Sequence, residues 1–177
     1  MKTKDKLIIR KPTLKDKEAV LELVEEFRKY ESVINGHGSI DKFATYEEWL
    51  EKLATYENKE TLPENRVLST QYITVRESDN KVVGLVNARW YLNSFLMFHG
   101  GHIGDSIRPL ERNKGYATEQ IRLVLDEFKK RGEKRVLITC KKSNLASART
   151  IEKNGGVLEN EVEYDGDTYK RYWVYLD

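Results

Sequence analysis

One cysteine, Cys140, stands in a chain of 177 residues. A lone thiol closes no internal disulfide and supplies no cysteine zinc cluster, so a reducing, cytoplasmic setting is expected. There are three prolines, Pro12, Pro63 and Pro109, and each marks the end of a patterned segment. No apolar run approaches the length of a membrane span. The opening stretch "MKTKDKLIIRKPTLKDKEAV" lacks the apolar core of a signal peptide. Charge of one sign is missing too. Lys and Arg number 31 against 29 Asp and Glu, a formal net charge of +2. That balance creates no strong field for nucleic acid or acidic membranes, and neither is expected as a partner. Repeats, low-complexity tracts and linkers are absent.

The composition, 39% hydrophobic and 34% charged, fits a soluble globular protein, and the length favours a single domain over residues 1–177. "KLIIR" reads as a first strand ended by Pro12. Thr13, with Asp16 three residues on, reads as a capping box, and Val20, Leu23, Val24 and Phe27 follow at helical spacing. "SVINGHGSIDKF" reads as a glycine-bearing loop, and "YEEWLEKLATYEN" as a second helix ended by Pro63. Residues 67–76 and 81–91 read as strands around "ESDN", and "FHGGHIGDSIRP" as a fourth strand. A helix then runs to about Lys130 and closes at Gly132. "KRVLITC" reads as a buried strand, and "SNLASARTIEKNGG" as a capped helix stopping at Gly155. Two strands follow around Asp165-Gly166, a strong hairpin signal. The order β-α-α-β-β-β-α-β-α-β-β predicts a mixed α/β fold.

The stretch "RPLERNKGYATEQIRLVL" places a basic, glycine-bearing loop against a helix start. A helix N-terminus presents unpaired N–H groups and partial positive charge, and a preceding glycine lets backbone approach an anion. Gly115 removes a side chain where a phosphate would rest, Ala117 keeps the next turn small, and Arg112 offers a guanidinium that can fork onto phosphate oxygens. An ordinary strand-to-helix loop with an incidental glycine fits the same residues.

In context, "SIRPLERNKGYA" resembles the acyl-CoA loop of the GNAT N-acetyltransferases, with Ile107, Pro109, Arg112, Gly115 and Ala117 at the family's motif positions. "SNLASARTIEKNGG" resembles that family's second CoA segment, and the element order resembles the family fold from end to end. The resemblance implies a mostly antiparallel central sheet of about seven strands flanked by about four helices. It implies acetyl-CoA as co-substrate, an amine acceptor, and no metal. The fourth and fifth strands would splay at a bulge to admit the pantetheine arm. The pyrophosphate would rest on the backbone amides of Arg112, Asn113, Lys114, Gly115, Tyr116 and Ala117. A backbone N–H near Ile107 would meet the acetyl carbonyl and stabilise a tetrahedral oxyanion, and Asn144 would hold the pantetheine amide, if it is not simply a helix N-cap. The acceptor side would form from "SVINGHGSIDKF", Trp49 and "YDGDTYKRYW". A homodimer is a common outcome for such a chain.

The implied reaction is direct attack of a primary amine, of a small molecule or a peptide, on the acetyl group. An amine with a pKa of about 10.4 must lose its proton, which favours a general base titrating near 7. His102 lies where many relatives place a carboxylate base, and Asp105 follows it in the same strand, with His99 a third candidate. A tyrosine seven residues after the asparagine serves many GNAT enzymes as acid. That position here is Ile151, which leaves Tyr116, Tyr164 and Tyr169 as alternatives. Cys140 is expected to be an inert buried thiol. Two competing readings are a non-catalytic acyl-CoA-binding regulatory module on the same fold and an interaction domain that binds no CoA.

Overall fold

A computed structural model describes residues 3–176. The strands are β1 (Leu7–Arg10), β2 (Ser69–Arg76), β3 (Lys81–Arg89), β4 (Ile103–Ile107), β5 (Arg135–Lys141), β6 (Val157–Tyr164) and β7 (Asp167–Tyr175). The helices are α1 (Lys17–Lys29), α2 (Tyr46–Thr55), α3 (Tyr116–Lys130) and α4 (Leu145–Lys153). Their order is the one read from the sequence. Local chemistry accounts for several boundaries. The Thr13 N–H and hydroxyl both donate to Asp16 Oδ2, at 2.8 and 2.9 Å, and Arg10 pairs with the same carboxylate. That arrangement fixes the turn into α1. At the far end of the chain Asp165 and Gly166 both adopt positive φ, 49° and 79°, the backbone a two-residue hairpin turn requires.

All strand pairings are antiparallel, and the seven strands divide into two sheets, β1-β2-β3-β4 and β5-β7-β6. One face of β2 and β3 buries Ile73, Val75, Val82 and Leu85 against Val20, Leu23, Phe27, Trp49 and Leu53 of α1 and α2. The other face packs Val86, Ala88 and Ile103 against Ile121, Val124 and Phe128 of α3, with Ile151 of α4 and Ile138 of β5 in the same cluster. Two helices therefore cover each side, and the two sheets meet along the β4 and β5 edges.

The fourth strand is shorter than its sequence pattern. Residues Leu96–Gly100 form a π-helical turn, Gly101 turns the chain at φ 67°, and extended pairing begins only at Ile103. The expected bulge is also elsewhere: β4 pairs with β3 in unbroken register, while shifts occur in β2–β3 and β6–β7. What separates β4 from β5 is the tight turn at Gly101. Its backbone lies so close to the Leu137 carbonyl that an added Cβ would stand 2.7 Å from that oxygen.

Candidate active site

Among the described residues, hydrogen bonds between the start of β4 and β5 occur at one place, His102, which leads into β4. The His102 N–H donates to the Leu137 carbonyl at 2.8 Å, and the Leu137 N–H donates back to His102 Nδ1 at 2.8 Å. Beyond that clasp, among the described residues, each strand is paired only on its outer side, β4 with β3 and β5 with β7. Two facing strand edges are left open. The Arg89 N–H donates to His102 and the Arg108 N–H to Val83, both at 2.8 Å. Alternation along the antiparallel pair then turns the backbone N–H and C=O groups of Ile103, Asp105 and Ile107 toward the gap. The expectation that the Ile107 N–H faces a reacting carbonyl is compatible with this geometry.

At one end of the gap lies the loop before α3. Asn113 and Gly115 hold positive φ, 62° and 81°, and Gly115 is the residue that caps the helix. The N–H groups of Asn113, Lys114, Gly115, Tyr116 and Ala117 have no hydrogen-bond acceptor among the described residues. Successive free amides at a helix N-terminus form an anion-binding concavity. The loop is held from behind: buried Glu111 receives Arg76 and Lys81 at 2.8 Å and Lys114 at 2.6 Å; burial pushes its carboxyl up, but these cations outweigh it and keep it charged down to about 2. The residues fit a pyrophosphate through backbone amides.

Two side chains in this loop are placed differently from the sequence expectation. Arg112 does not extend over the amides. Its Nε donates to the Ile107 carbonyl at 3.1 Å and its Nη2 to Ser32 at 2.8 Å, with the guanidinium over the Phe27 ring. Tyr116 is 1% exposed, and its hydroxyl is bound by Asp5 and Arg76. Only its backbone N–H belongs to the loop, and its hydroxyl is not available as an acid.

His102 is likewise misplaced for the role of base. It is 8% exposed and packs edge-on to Phe128. Nδ1 accepts the Leu137 N–H, which puts the neutral ring's proton on Nε2 and engages the ring's one lone pair in that bond. Desolvation depresses its pKa to about 4. Asp105 is half-buried on the α3 face of β4, and Gln120 Nε2 donates to it at 3.3 Å. Gln120 is itself oriented by the Thr74 hydroxyl, which donates to Oε1 at 2.5 Å. Burial pushes Asp105 up to about 6, only partly opposed by the Gln120 bond. Sequence reasoning missed Gln120 and Thr74, since only the packing of α3 on the sheet brings them to Asp105.

Asn144 caps α4, its side chain accepting the Ser147 N–H at 3.1 Å. Ile151 is 1% exposed inside the core beneath α4. Cys140 is buried, with its thiol pushed up by desolvation. His99 stacks on Tyr164 at 4.2 Å and meets Tyr169 edge-on at 4.2 Å, which ties the π turn to the last hairpin.

The sequence matches the model of the acetyltransferase (GNAT) domain over residues 6–157. The chain belongs to the GNAT acetyltransferase family. Solved structures agree on the fold. A GNAT-family acetyltransferase from Bacillus anthracis aligns at 23% identity and TM-score 0.63, covering 99% of this chain and 98% of that one. The ribosomal L7/L12 alpha-N-protein acetyltransferase RimL, in complex with coenzyme A, aligns at 18% identity and TM-score 0.67, covering 100% and 97%. The ribosomal-protein-S5-alanine acetyltransferase of Vibrio fischeri aligns at 18% and 0.69, covering 96% and 92%. No curated protein matches the sequence. In this GNAT chain the open β4–β5 edges and the Gly115 amides are the parts of the fold suited to an acyl-CoA. Among the described residues, no helix is long and apolar enough to cross a membrane.

Proposed function

We propose that this protein transfers an acetyl group from acetyl-CoA to a primary amine of a small molecule or peptide by direct attack. The observation that carries the reading is the open pair of strand edges below the His102–Leu137 clasp, ending at free amides around Gly115. A pantetheine amide has the donor–acceptor spacing to pair with such an edge, and a pyrophosphate suits the amides. The Ile107 N–H, facing the gap, would stabilise charge developing on the acetyl oxygen.

Asp105 is the base in this reading. Its value of about 6 leaves it ionised yet near neutral pH, where a general base works best. Its carboxylate lies on the α3 face while the Gly104 and Ser106 face meets the α1–α2 loop. The amine's proton would therefore reach Asp105 through water along the open edge. The departing thiolate needs no tyrosine: with a thiol pKa of about 8.5, protonation at pH 7 gains only about 2 kcal/mol.

Thiol release from acetyl-CoA, measured with a panel of amines, tests the proposal. Amine-dependent release is expected. Tight acetyl-CoA binding without release to any amine would favour the non-catalytic acyl-CoA-binding module, and a thermal unfolding midpoint unmoved by CoA would favour the interaction domain.

A further inference from the structure

On the loop side of β4, a cavity of about 350 Å³ opens between the α1–α2 loop, the starts of β2 and of the π turn, and the end of β3. That is the size of a small-molecule site rather than a channel for a folded partner. Its floor adjoins β4: Gly36 lies so close that a Cβ there would stand 1.9 Å from the Gly104 carbonyl. The cavity therefore abuts the strand whose opposite edge opens to the gap.

The polar lining is one-sided. Asn35, His37, Arg66, Asn87, Arg89 and Asn93 contribute to it, and no aspartate or glutamate does, among the described residues. Arg89 is largely buried, and Nη1 donates to the carbonyls of Gly100 and Gly101 at 3.0 and 3.1 Å. It pairs with no carboxylate among the described residues, unlike Arg10, Arg76, Arg108 and Arg171, which all do. Its second terminal nitrogen points along β4, where an added Cβ on Gly104 would be 2.9 Å away. Arg66, on the rim, lies over the Tyr56 ring, and among the described residues no carboxylate pairs with it. Desolvation, with the charge of Arg66 added, lowers Arg89 to about 10, the cost of a buried cation with no anion beside it.

A polyamine would bring more positive charge into this lining and meet repulsion. An anion would relieve it. We infer that the acceptor amine carries a carboxylate, as in a free amino acid, held by Arg89 and Arg66 while its amine faces β4. Arg89 lies against Gly104, so the anion and the amine are separated by only a few bonds. Asn87 donates to Gln71 at 3.2 Å, which leaves its own carbonyl oxygen to accept from the amine. The inference rests on the acetyl-transfer reading and narrows its acceptor.

The test uses matched pairs: an amino acid beside the amine that lacks its carboxylate, with spermidine and an uncharged peptide N-terminus alongside. Thiol release from acetyl-CoA should show kcat/KM at least tenfold higher for the acid of each pair. Arg66→Gln, an exposed change that leaves the core untouched, should reduce that preference about 3–10-fold. Arg89→Met should reduce it about 10–100-fold, as expected for a lost charge-assisted bidentate contact. Equal or better turnover of the bare amines, spermidine or the peptide would overturn the inference while leaving acetyl transfer intact. If no amine released thiol, the transfer reading would fail. Calorimetry on the CoA-saturated protein would then decide the inference, with amino-acid binding weakened by Arg66→Gln in its favour and an absence of binding against it.

Discussion

His102 and Leu137 grip each other at both ends of one residue's backbone: N–H to carbonyl in one direction, N–H to imidazole Nδ1 in the other, each at 2.8 Å. This clasp is where the two sheets of the molecule join, and the cleft begins just past it. A side chain expected from the sequence to transfer protons is a strut in the fold.

Removing the strut should act on stability before chemistry. His102→Ala leaves the buried Leu137 N–H without a partner, a cost of about 1–3 kcal/mol. Denaturant unfolding should show it, and the acid limb of the wild-type rate profile should persist in the variant. Loss of that limb would return His102 to the chemistry.

The same residue sets an acid sensitivity. Its folded pKa of about 4 lies below the ordinary 6.5, so the unfolded chain binds more protons between those values. His102's contribution is fully present above about 6.5 and is lost as pH falls toward 4, on the order of 3 kcal/mol across that window. Unfolding free energies of wild type and His102→Gln at pH 7 and 5 should converge toward the acid side. Parallel pH dependences would disprove the assignment.

Asp105 should show the opposite sign. Its carboxyl, raised to about 6 from 3.8, costs stability once both states ionise, because the fold must bury a charge. Asp105→Asn should raise the unfolding midpoint at pH 7. It should also lower turnover by about 10²–10⁴-fold and abolish a rate limb near pH 6. Undiminished turnover at pH 7.5 would remove Asp105 as the base.

The loop prediction has an internal control. Gly115 and Gly132 flank α3 with nearly the same φ, 81° and 83°. Valine at either position strains the backbone by about 1–2 kcal/mol. Only Gly115→Val should weaken CoA binding by more than tenfold in calorimetry, since Gly115 sits among the free amides at the start of α3 and Gly132 lies past its other end. Equal effects at the two glycines would reduce the loop to ordinary backbone.

Ile151→Tyr tests whether the missing acid matters. Ile151 packs in the core, and a Cβ on Gly156 would stand 2.5 Å from its Cγ2. The larger ring should destabilise the protein by about 1–3 kcal/mol through overpacking. Turnover of the folded fraction should stay within about tenfold. A large gain in kcat would show that a proton donor at this position is useful after all.

The order of the elements, their capping and the turn at Gly115 were legible in the chain itself. These depend on near neighbours: the spacing of Ile121, Val124 and Phe128, the Thr13–Asp16 turn, the positive φ that Asp165-Gly166 tolerates. The tertiary structure decided what each polar side chain does. Arg112 turns toward Ser32, His102 toward Leu137 and Tyr116 toward Arg76, since each finds a partner from a segment 35 or more positions away. The Gln120 support of Asp105 and the anion-seeking lining around Arg89 arise the same way. Local periodicity encodes which face of a strand is buried, but which charge or amide waits on the other side is fixed only when distant elements close over it.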